Sequence, residues 1–169
     1  MLEKLGFKRS LSKEEEIESL AKRMDRVNRD LSKSSLKGLD YYDYTYSVAQ
    51  ATEELGLDDE LVWQLIDDYI AQIIRTKPHF ELLLGELEKA ERLGVPIDYG
   101  KLRDLAHKNL GVAKNLRIND GITLLKELHK SDDIEHMKHC LDALEACAVR
   151  LNPTKGYDAK KLLEIKHSL

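Results

Sequence analysis

The sequence has few residues that interrupt helices and no segment that would span a membrane. Only 3 prolines and 9 glycines occur in 169 residues, too few for a β-sandwich or barrel with a turn about every ten residues. No run approaches the roughly 18 uninterrupted apolar residues that read as a transmembrane helix. The start, MLEKLGFKRSLSKEEE, lacks the apolar core of a secretory signal. We therefore expect a cytoplasmic protein with no membrane partner.

The sequence also has few cysteines and a small net charge. The 2 cysteines, Cys140 and Cys147, fall in one helical pattern, where their spacing puts them about 10 Å apart, too far to bond each other. We expect two buried thiols. The formal net charge of −4 gives no general electrostatic reason to bind nucleic acid, so nucleic acid is not an expected partner.

Apolar residues recur at helical spacing along most of the chain, which predicts an all-α fold. A short helix from Tyr44 to Leu55 is expected first, and Asp58 then caps a second helix. Pro78 is expected to start another helix, because proline is tolerated in the first helical turn. Short connections make successive helices antiparallel neighbours, so we expect an antiparallel four-helix bundle over residues 39–152.

The later helices of this bundle each have a candidate N-cap residue. These are Asp98 for a helix over residues 99–117, Asn119 for the next helix, and Ser131 or Asp132 for the last long one.

Two further segments flank the predicted bundle. Ser12 and Glu15 form a capping-box sequence. An apolar stripe follows at helical spacing, made of Ile17, Leu20, Met24, Val27 and Leu31. We interpret residues 1–38 as an N-terminal helical extension and linker that docks on the bundle, pairs with another copy through residues 1–36 as a homo-oligomer, or stays mobile. Residues 153–169 are expected to form a short C-terminal helical extension.

The helix around His107 has the sequence pattern that most clearly indicates a functional site. At about 100° per residue, the apolar residues of this helix fall opposite His107, which predicts an exposed imidazole. Those apolar residues are Leu102, Leu105, Val112 and Leu116. Gly111 lies one turn after His107, and glycine inside a helix costs roughly 1 kcal/mol relative to alanine. We interpret Gly111 as a gap through which another surface approaches the imidazole, which can act as a nucleophile when unprotonated.

The segment LAHKNLGVAKNL resembles the motif of histidine-containing phosphotransfer (HPt) domains, usually written A-H-x-L-K-G-x-A. Ala106, His107, Gly111, Ala113 and Leu116 match it in register. The order of helices over about residues 40–151 is similar to that family too. The resemblance implies a four-helix bundle whose His107 carries a phosphoryl group between aspartates of response-regulator receiver domains, with a receiver domain or a sensor histidine kinase as partner.

Helix geometry gives expected roles to the neighbours of His107, since Arg103 lies one turn before it and Lys114 two turns after it on the same side. The expected phosphoryl-stabilising residues are Lys108, Lys114 and Arg103, and the expected partner-docking residues are Leu110 and Gly111. A docked receiver would supply Mg²⁺, so we expect no cofactor and no metal site on this chain. The sequence contains no Walker loop or kinase nucleotide-binding motif, which favours a phosphoryl carrier without an ATP site over an enzyme in the usual sense.

Three positions depart from the family pattern. Leu110 stands where a lysine is usual, Asn109 where a leucine is usual, and Arg117 where a second glycine is usual. Asn109 is expected near the core, and Leu110 beside His107, where it would add apolar contact to a docked receiver. Two other functions stay open: a helical adaptor that binds a receiver or kinase without phosphate exchange, and a self-associating structural protein.

One other cluster is weighed as a metal site. Its residues are His129, Glu135, His136, His139 and Cys140. His136 and Cys140 are four positions apart, so both would lie on one helix face and could bind one edge of a metal ion. No second matched pair accompanies them, so ordinary helix surface and a core thiol are favoured.

Overall fold

Residues 10–168 are described in the computed structural model, and they fold into seven α-helices without a strand. The helices are α1 (Lys13–Leu31), α2 (Val48–Leu55), α3 (Asp59–Leu93), α4 (Gly100–Leu116), α5 (Asn119–Lys130), α6 (Ile134–Leu151) and α7 (Pro153–Ser168). The predicted all-α class is confirmed. Within this part of the chain, no helix is both long enough and apolar enough to cross a membrane. The first nine residues of the expected N-terminal extension lie outside the described residues.

Capping side chains define several helix ends, as the sequence predicts. The Ser12 hydroxyl accepts the backbone N–H of Glu15, and the Glu15 carboxylate accepts that of Ser12, both at 3.2 Å. The Asp58 carboxylate accepts the backbone N–H of Leu61 at 2.8 Å where α3 begins. The prediction for α4 is wrong, because Tyr99 and not Asp98 is its N-cap residue and no side chain caps this helix. Asp98 instead accepts the backbone N–H of Gly100 at 2.8 Å just before the helix. Gly94 ends α3 in the left-handed conformation, with φ 67°.

Three further helix starts differ from the prediction. Ser47 caps α2, so this helix begins at Val48 and not at Tyr44. Asn119 is the first residue of α5 and not its cap. Asp133 caps α6 by accepting the N–H of His136 at 3.1 Å, so the expected Ser131 or Asp132 is wrong by one or two positions.

The largest departure concerns Pro78, which lies inside α3 and does not start a new helix. Proline in a helix interior removes one hydrogen bond and costs roughly 3 kcal/mol. Apolar side chains on both sides of Pro78, such as Ile74 and Phe80, are buried in the same core. Burial of each such side chain contributes roughly 1.5–3 kcal/mol, so tertiary packing offsets the cost of the proline.

Helices α3 to α6 pack in a closed order, in which α3 contacts α4 and α6, and α5 also contacts α4 and α6. Helix α1 packs against α6 and α7, and α7 packs against α3. Leu20 and Met24 of α1 are only 6% and 7% exposed, so the apolar stripe of α1 is covered by the other helices. Helix α7 continues through 16 residues, longer than the short extension that we expected.

Glu145 of α6 forms a buried ionic contact that joins three helices. Its carboxylate accepts hydrogen bonds from Lys77 of α3 at 3.3 Å and from Lys160 of α7 at 3.1 Å. Burial alone would raise the pKa of Glu145, but the two lysines outweigh it and hold the pKa below its usual range. The carboxylate is therefore ionised at neutral pH and fixes α7 and α3 on α6.

A second polar contact fixes the segment between α1 and α2. Arg150 of α6 donates to the backbone carbonyls of Tyr41 and Tyr42, at 3.2 Å and 2.8 Å. The same guanidinium forms an ion pair at 2.9 Å with Asp120, which is 2% exposed. Burial raises the pKa of Asp120, although the ion pair with Arg150 opposes that rise.

Candidate functional site

His107 lies exposed at the middle of α4, as predicted. Its ring forms no hydrogen bond or ion pair with any residue between 10 and 168. The imidazole of His129 on α5 lies beside it, with ring centroids 5.6 Å apart and planes tilted by 42°. The site therefore presents two imidazoles from two helices, one of which the sequence did not place there.

The buried face of α4 explains why His107 points outward. Its buried residues are Leu102, Ala106, Asn109, Leu110, Ala113 and Leu116. The predicted core residues Leu105 and Val112 are only half-buried, so the buried face is rotated from the predicted one toward Ala106 and Leu110. His107 remains outside this face and is exposed.

Gly111, one turn after His107, is exposed and open. Apart from its two chain neighbours and the backbone of its own helix, no heavy atom of the described residues lies within 4 Å of the position that a Cβ would take there, and its φ is not positive. No internal contact in this part of the chain therefore requires glycine. The open position leaves room for another surface to approach the imidazole, in agreement with the interpretation of its sequence.

The structure corrects the placement of Leu110. The side chain is 6% exposed and belongs to the core, because it follows the buried Ala106 by one helical turn. A docked partner would find almost no surface of Leu110 to contact. The predicted docking contribution of Leu110 therefore has no physical basis in this fold, whereas Gly111 stays exposed.

The three predicted phosphoryl-stabilising cations differ in their surroundings. Arg103 is half-buried: its guanidinium donates to the carbonyl of Ser131 at 3.4 Å and lies 4.9 Å from the ring centre of Tyr99. Lys108 and Lys114 are exposed and form no ion pair with a described residue. Of the three, the two lysines are therefore free to move toward an anion, while Arg103 is held at the start of α4.

Asn109 is 1% exposed, which confirms its expected place near the core. Its amide oxygen accepts a hydrogen bond from Gln72 of α3 at 3.1 Å, and its nitrogen donates to the carbonyl of Leu105 at 2.9 Å. A buried amide with both ends bonded avoids the cost of an unsatisfied polar group. Asn109 thus joins α4 to α3 by hydrogen bonds.

Arg117 occupies the C-cap of α4 in the left-handed conformation, with φ 59°. Glycine adopts this conformation without strain, which explains why a glycine would suit the position. The Arg117 guanidinium forms an ion pair with Glu54 of α2 at 2.7 Å. This contact ties the turn between α4 and α5 to α2.

The cluster weighed as a metal site forms hydrogen bonds instead. No group of three or more His, Cys, Asp or Glu side chains in residues 10–168 is placed to hold a metal ion. Nδ1 of His136 and Nδ1 of His139 lie 2.8 Å and 3.0 Å from the Ser35 hydroxyl, and Nε2 of His136 lies 3.1 Å from Glu127. Burial, with a further contribution from Glu127, raises the pKa of the Cys140 thiol to about 12. Cys140 is therefore an unreactive core thiol.

His129 is the residue of this site that sequence reasoning missed, since we considered it only with the metal cluster. A signal for it exists in the sequence. Only residues 117–118 separate α4 from α5, and residues at similar distances from a short turn lie opposite each other in an antiparallel helix pair. His107 and His129 are placed in this way.

Comparison of the chain with protein-family models, with curated proteins and with solved structures gave no match. The HPt resemblance therefore rests on the motif and the helix order of this chain alone.

Proposed function

We propose that this protein is a phosphoryl carrier, in which His107 accepts a phosphoryl group from one partner and passes it to another. The observation that carries the proposal is an exposed imidazole in the middle of α4, one turn from the open position Gly111 and without a hydrogen bond or ion pair to a described residue. The closed packing order of α3, α4, α5 and α6 supports an antiparallel four-helix bundle of the HPt kind as the scaffold.

The proposed chemistry is an in-line transfer between a carboxylate and an imidazole. A receiver domain that carries an aspartyl phosphate docks over α4, and the unprotonated ring nitrogen of His107 attacks phosphorus. A P–N bond forms while the P–O bond to the aspartate breaks, and its electron pair stays on the carboxylate. The ring proton of His107 passes to solvent. The reverse sequence delivers the phosphoryl group to the aspartate of a second receiver.

The chain's own contribution to this reaction is placement and charge. Helix α4 is fixed in the core on its other face, so the backbone that carries the imidazole is already in place before a partner docks. Lys114 lies on the same side of α4, two turns after His107, and Lys108 follows directly. Both are free of ion pairs among the described residues and can move toward a phosphoryl group that carries nearly two negative charges.

A receiver-binding adaptor without phosphate exchange is the second candidate, and one observation favours it. At position 110, where the resemblance implies a lysine beside the phosphoryl group, this chain has a leucine that is 6% exposed. The site therefore lacks one charge that a carrier of this kind would use. By contrast, the apolar stripe of α1 that could support self-association packs on α6 and α7.

The test is incubation of the full chain with phosphorylated receiver domains, followed by measurement of acid-labile phosphate on the protein. Wild type should become labelled and His107→Gln should not. His79→Gln is the matched control, because His79 is also exposed on a helix, and it should be labelled like wild type. Labelling of His107→Gln at the normal rate would contradict the proposal. Receiver binding without label would select the adaptor.

A further inference from the structure

His129 and His107 form an exposed pair of imidazoles that come from different parts of two neighbouring helices. His107 projects from the middle of α4, whereas His129 lies in the last turn of α5. The ring centroids are 5.6 Å apart, and neither ring has a hydrogen bond with a described residue. A group attached to a ring nitrogen of His107 would thus lie within reach of a free ring nitrogen of His129.

We propose that His129 is a positioning residue that, when protonated, donates a hydrogen bond to a phosphoryl group on His107, so that the site holds phosphate more firmly as the pH falls. The inference rests on the proposed function, because it concerns the phosphorylated state of His107. It supplies the charge that the buried Leu110 does not. A lysine would supply a permanent charge, whereas a histidine titrates near neutral pH.

The charges around His129 favour this role for it. From α4, His107 and Arg103 lie on its side, and the Arg103 guanidinium is engaged by the Ser131 carbonyl at 3.4 Å. On α5, Lys126 lies one turn before His129 and Lys130 follows it. No carboxylate is found in contact with the His129 ring within residues 10–168. No carboxylate of the described residues therefore competes with a phosphoryl group for this ring.

The nearest carboxylate of α5 is directed elsewhere. Glu127 accepts from Lys130 at 2.7 Å and from His136 of α6 at 3.1 Å. By helical geometry it lies about 160° around α5 from His129. The side of α5 that packs on α6 thus has its own paired charges. The exposed carboxylates nearest in sequence, Asp104 of α4 and Asp132 after α5, form no ion pair with a described histidine.

The consequence is a reciprocal coupling between protonation and phosphorylation. An opposite charge within about 4–6 Å stabilises the charged form of a titratable group and changes its pKa by about 1–3. If phosphate on His107 favours protonation of His129, then protonation of His129 favours phosphate on His107 by the same factor. Phosphoryl transfer to the next partner should accordingly become easier as the pH rises.

The test uses phosphoramidate, which needs neither a receiver nor a kinase. A ring nitrogen of His107 attacks phosphorus, the P–N bond of phosphoramidate breaks, and ammonia leaves with the ring proton. The ring protons of His129 are followed by NMR between about pH 6 and 9, before and after phosphorylation, with His79 as an internal control. The midpoint of the His129 titration should move up by about one pH unit or more, and that of His79 should not move.

A second experiment replaces the imidazole of His129. In wild type, the ³¹P chemical shift of phosphorylated His107 should change with pH at the midpoint of the His129 titration. His129→Gln should remove this change. His129→Lys should remove it too, because lysine keeps its positive charge over this pH range. Equal midpoints for His129 before and after phosphorylation would overturn the inference. So would failure of phosphoramidate to modify His107 under conditions in which it modifies free imidazole. Failure of receivers to label His107, with the His129 shift intact, would refute only the proposed function.

Discussion

Stability measurements alone can test the interpretation that Gly111 leaves room for another surface to approach His107. If no internal contact requires this glycine, Gly111→Ala should stabilise the protein, because alanine is favoured over glycine inside a helix by roughly 0.5–1 kcal/mol. The structure offers no opposing contact, since no described heavy atom lies within 4 Å of the added Cβ apart from its two chain neighbours and the backbone of its own helix. Gly85 in α3 is equally open and exposed and provides the matched control. The two substitutions should stabilise by similar amounts.

Gly121 in α5 provides the opposite case. A Cβ there would overlap the hydroxyl of Tyr69, which is 2% exposed and cannot swing aside. Overpacking of this kind costs about 1–3 kcal/mol. Gly121→Ala should therefore destabilise the protein although the same helix preference applies to it. The three substitutions together separate an open glycine from one that the packing requires.

The assay is urea denaturation followed by helix circular dichroism. Each kcal/mol should also shift the thermal midpoint by about 2–4 °C in a domain of this size. Gly111→Glu, with Gly85→Glu as its control, extends the test to function: it should keep the helix but block phosphoryl transfer by bulk and charge. Destabilisation by Gly111→Ala, with stabilisation by Gly85→Ala, would refute the reasoning, because an internal contact would then explain the glycine.

Three further predictions concern the packing around the site. Glu145→Gln should cost about 1–3 kcal/mol at pH 7; since the folded pKa of Glu145 is lowered, the difference from wild type, measured by urea denaturation, should shrink and vanish as the pH falls from the usual pKa of a glutamate through this lower folded pKa. Arg150→Met leaves the carboxylate of Asp120 buried without its cation and should cost about 3–5 kcal/mol, part of which Asp120→Asn should restore in the double variant. Leu110→Lys should lower the urea midpoint by removing up to about 1.5–3 kcal/mol of burial; a stability equal to that of wild type would place position 110 on the surface.

Local chemistry made several helix ends predictable from the sequence. The capping box of Ser12 and Glu15, the cap Asp58 and the left-handed Gly94 each act within a few residues of their own position. Pro78 shows where such local rules fail, because the burial of residues before and after it holds α3 together. The strength of that packing is set by residues far away in the chain and cannot be read from the proline.

The orientation of α4 was predicted in outline only, and its composition explains the error. The leucines and the valine define one direction of the apolar pattern, but the buried face also includes Ala106, Asn109 and Ala113. Small residues add little to a hydrophobic pattern, yet they allow neighbouring helices to approach closely and become fully buried. His107 was placed correctly because it lies far from both versions of the face. Leu110 lies near their common edge, where a modest rotation turns an exposed side chain into a core one.

The burial of Leu110 and the position of His129 bear on the same question, which is where a phosphoryl group on His107 would find its counter-charge. A lysine at position 110 would have to leave the core to reach the phosphate, so the leucine is the residue that packing favours. The charge must then come from another helix or from the exposed Lys108 and Lys114. His129 on α5 places its ring 5.6 Å from the His107 ring, centroid to centroid. On the proposal above, a protonated His129 would supply this counter-charge from the neighbouring helix, in place of the lysine that the packing of position 110 does not allow.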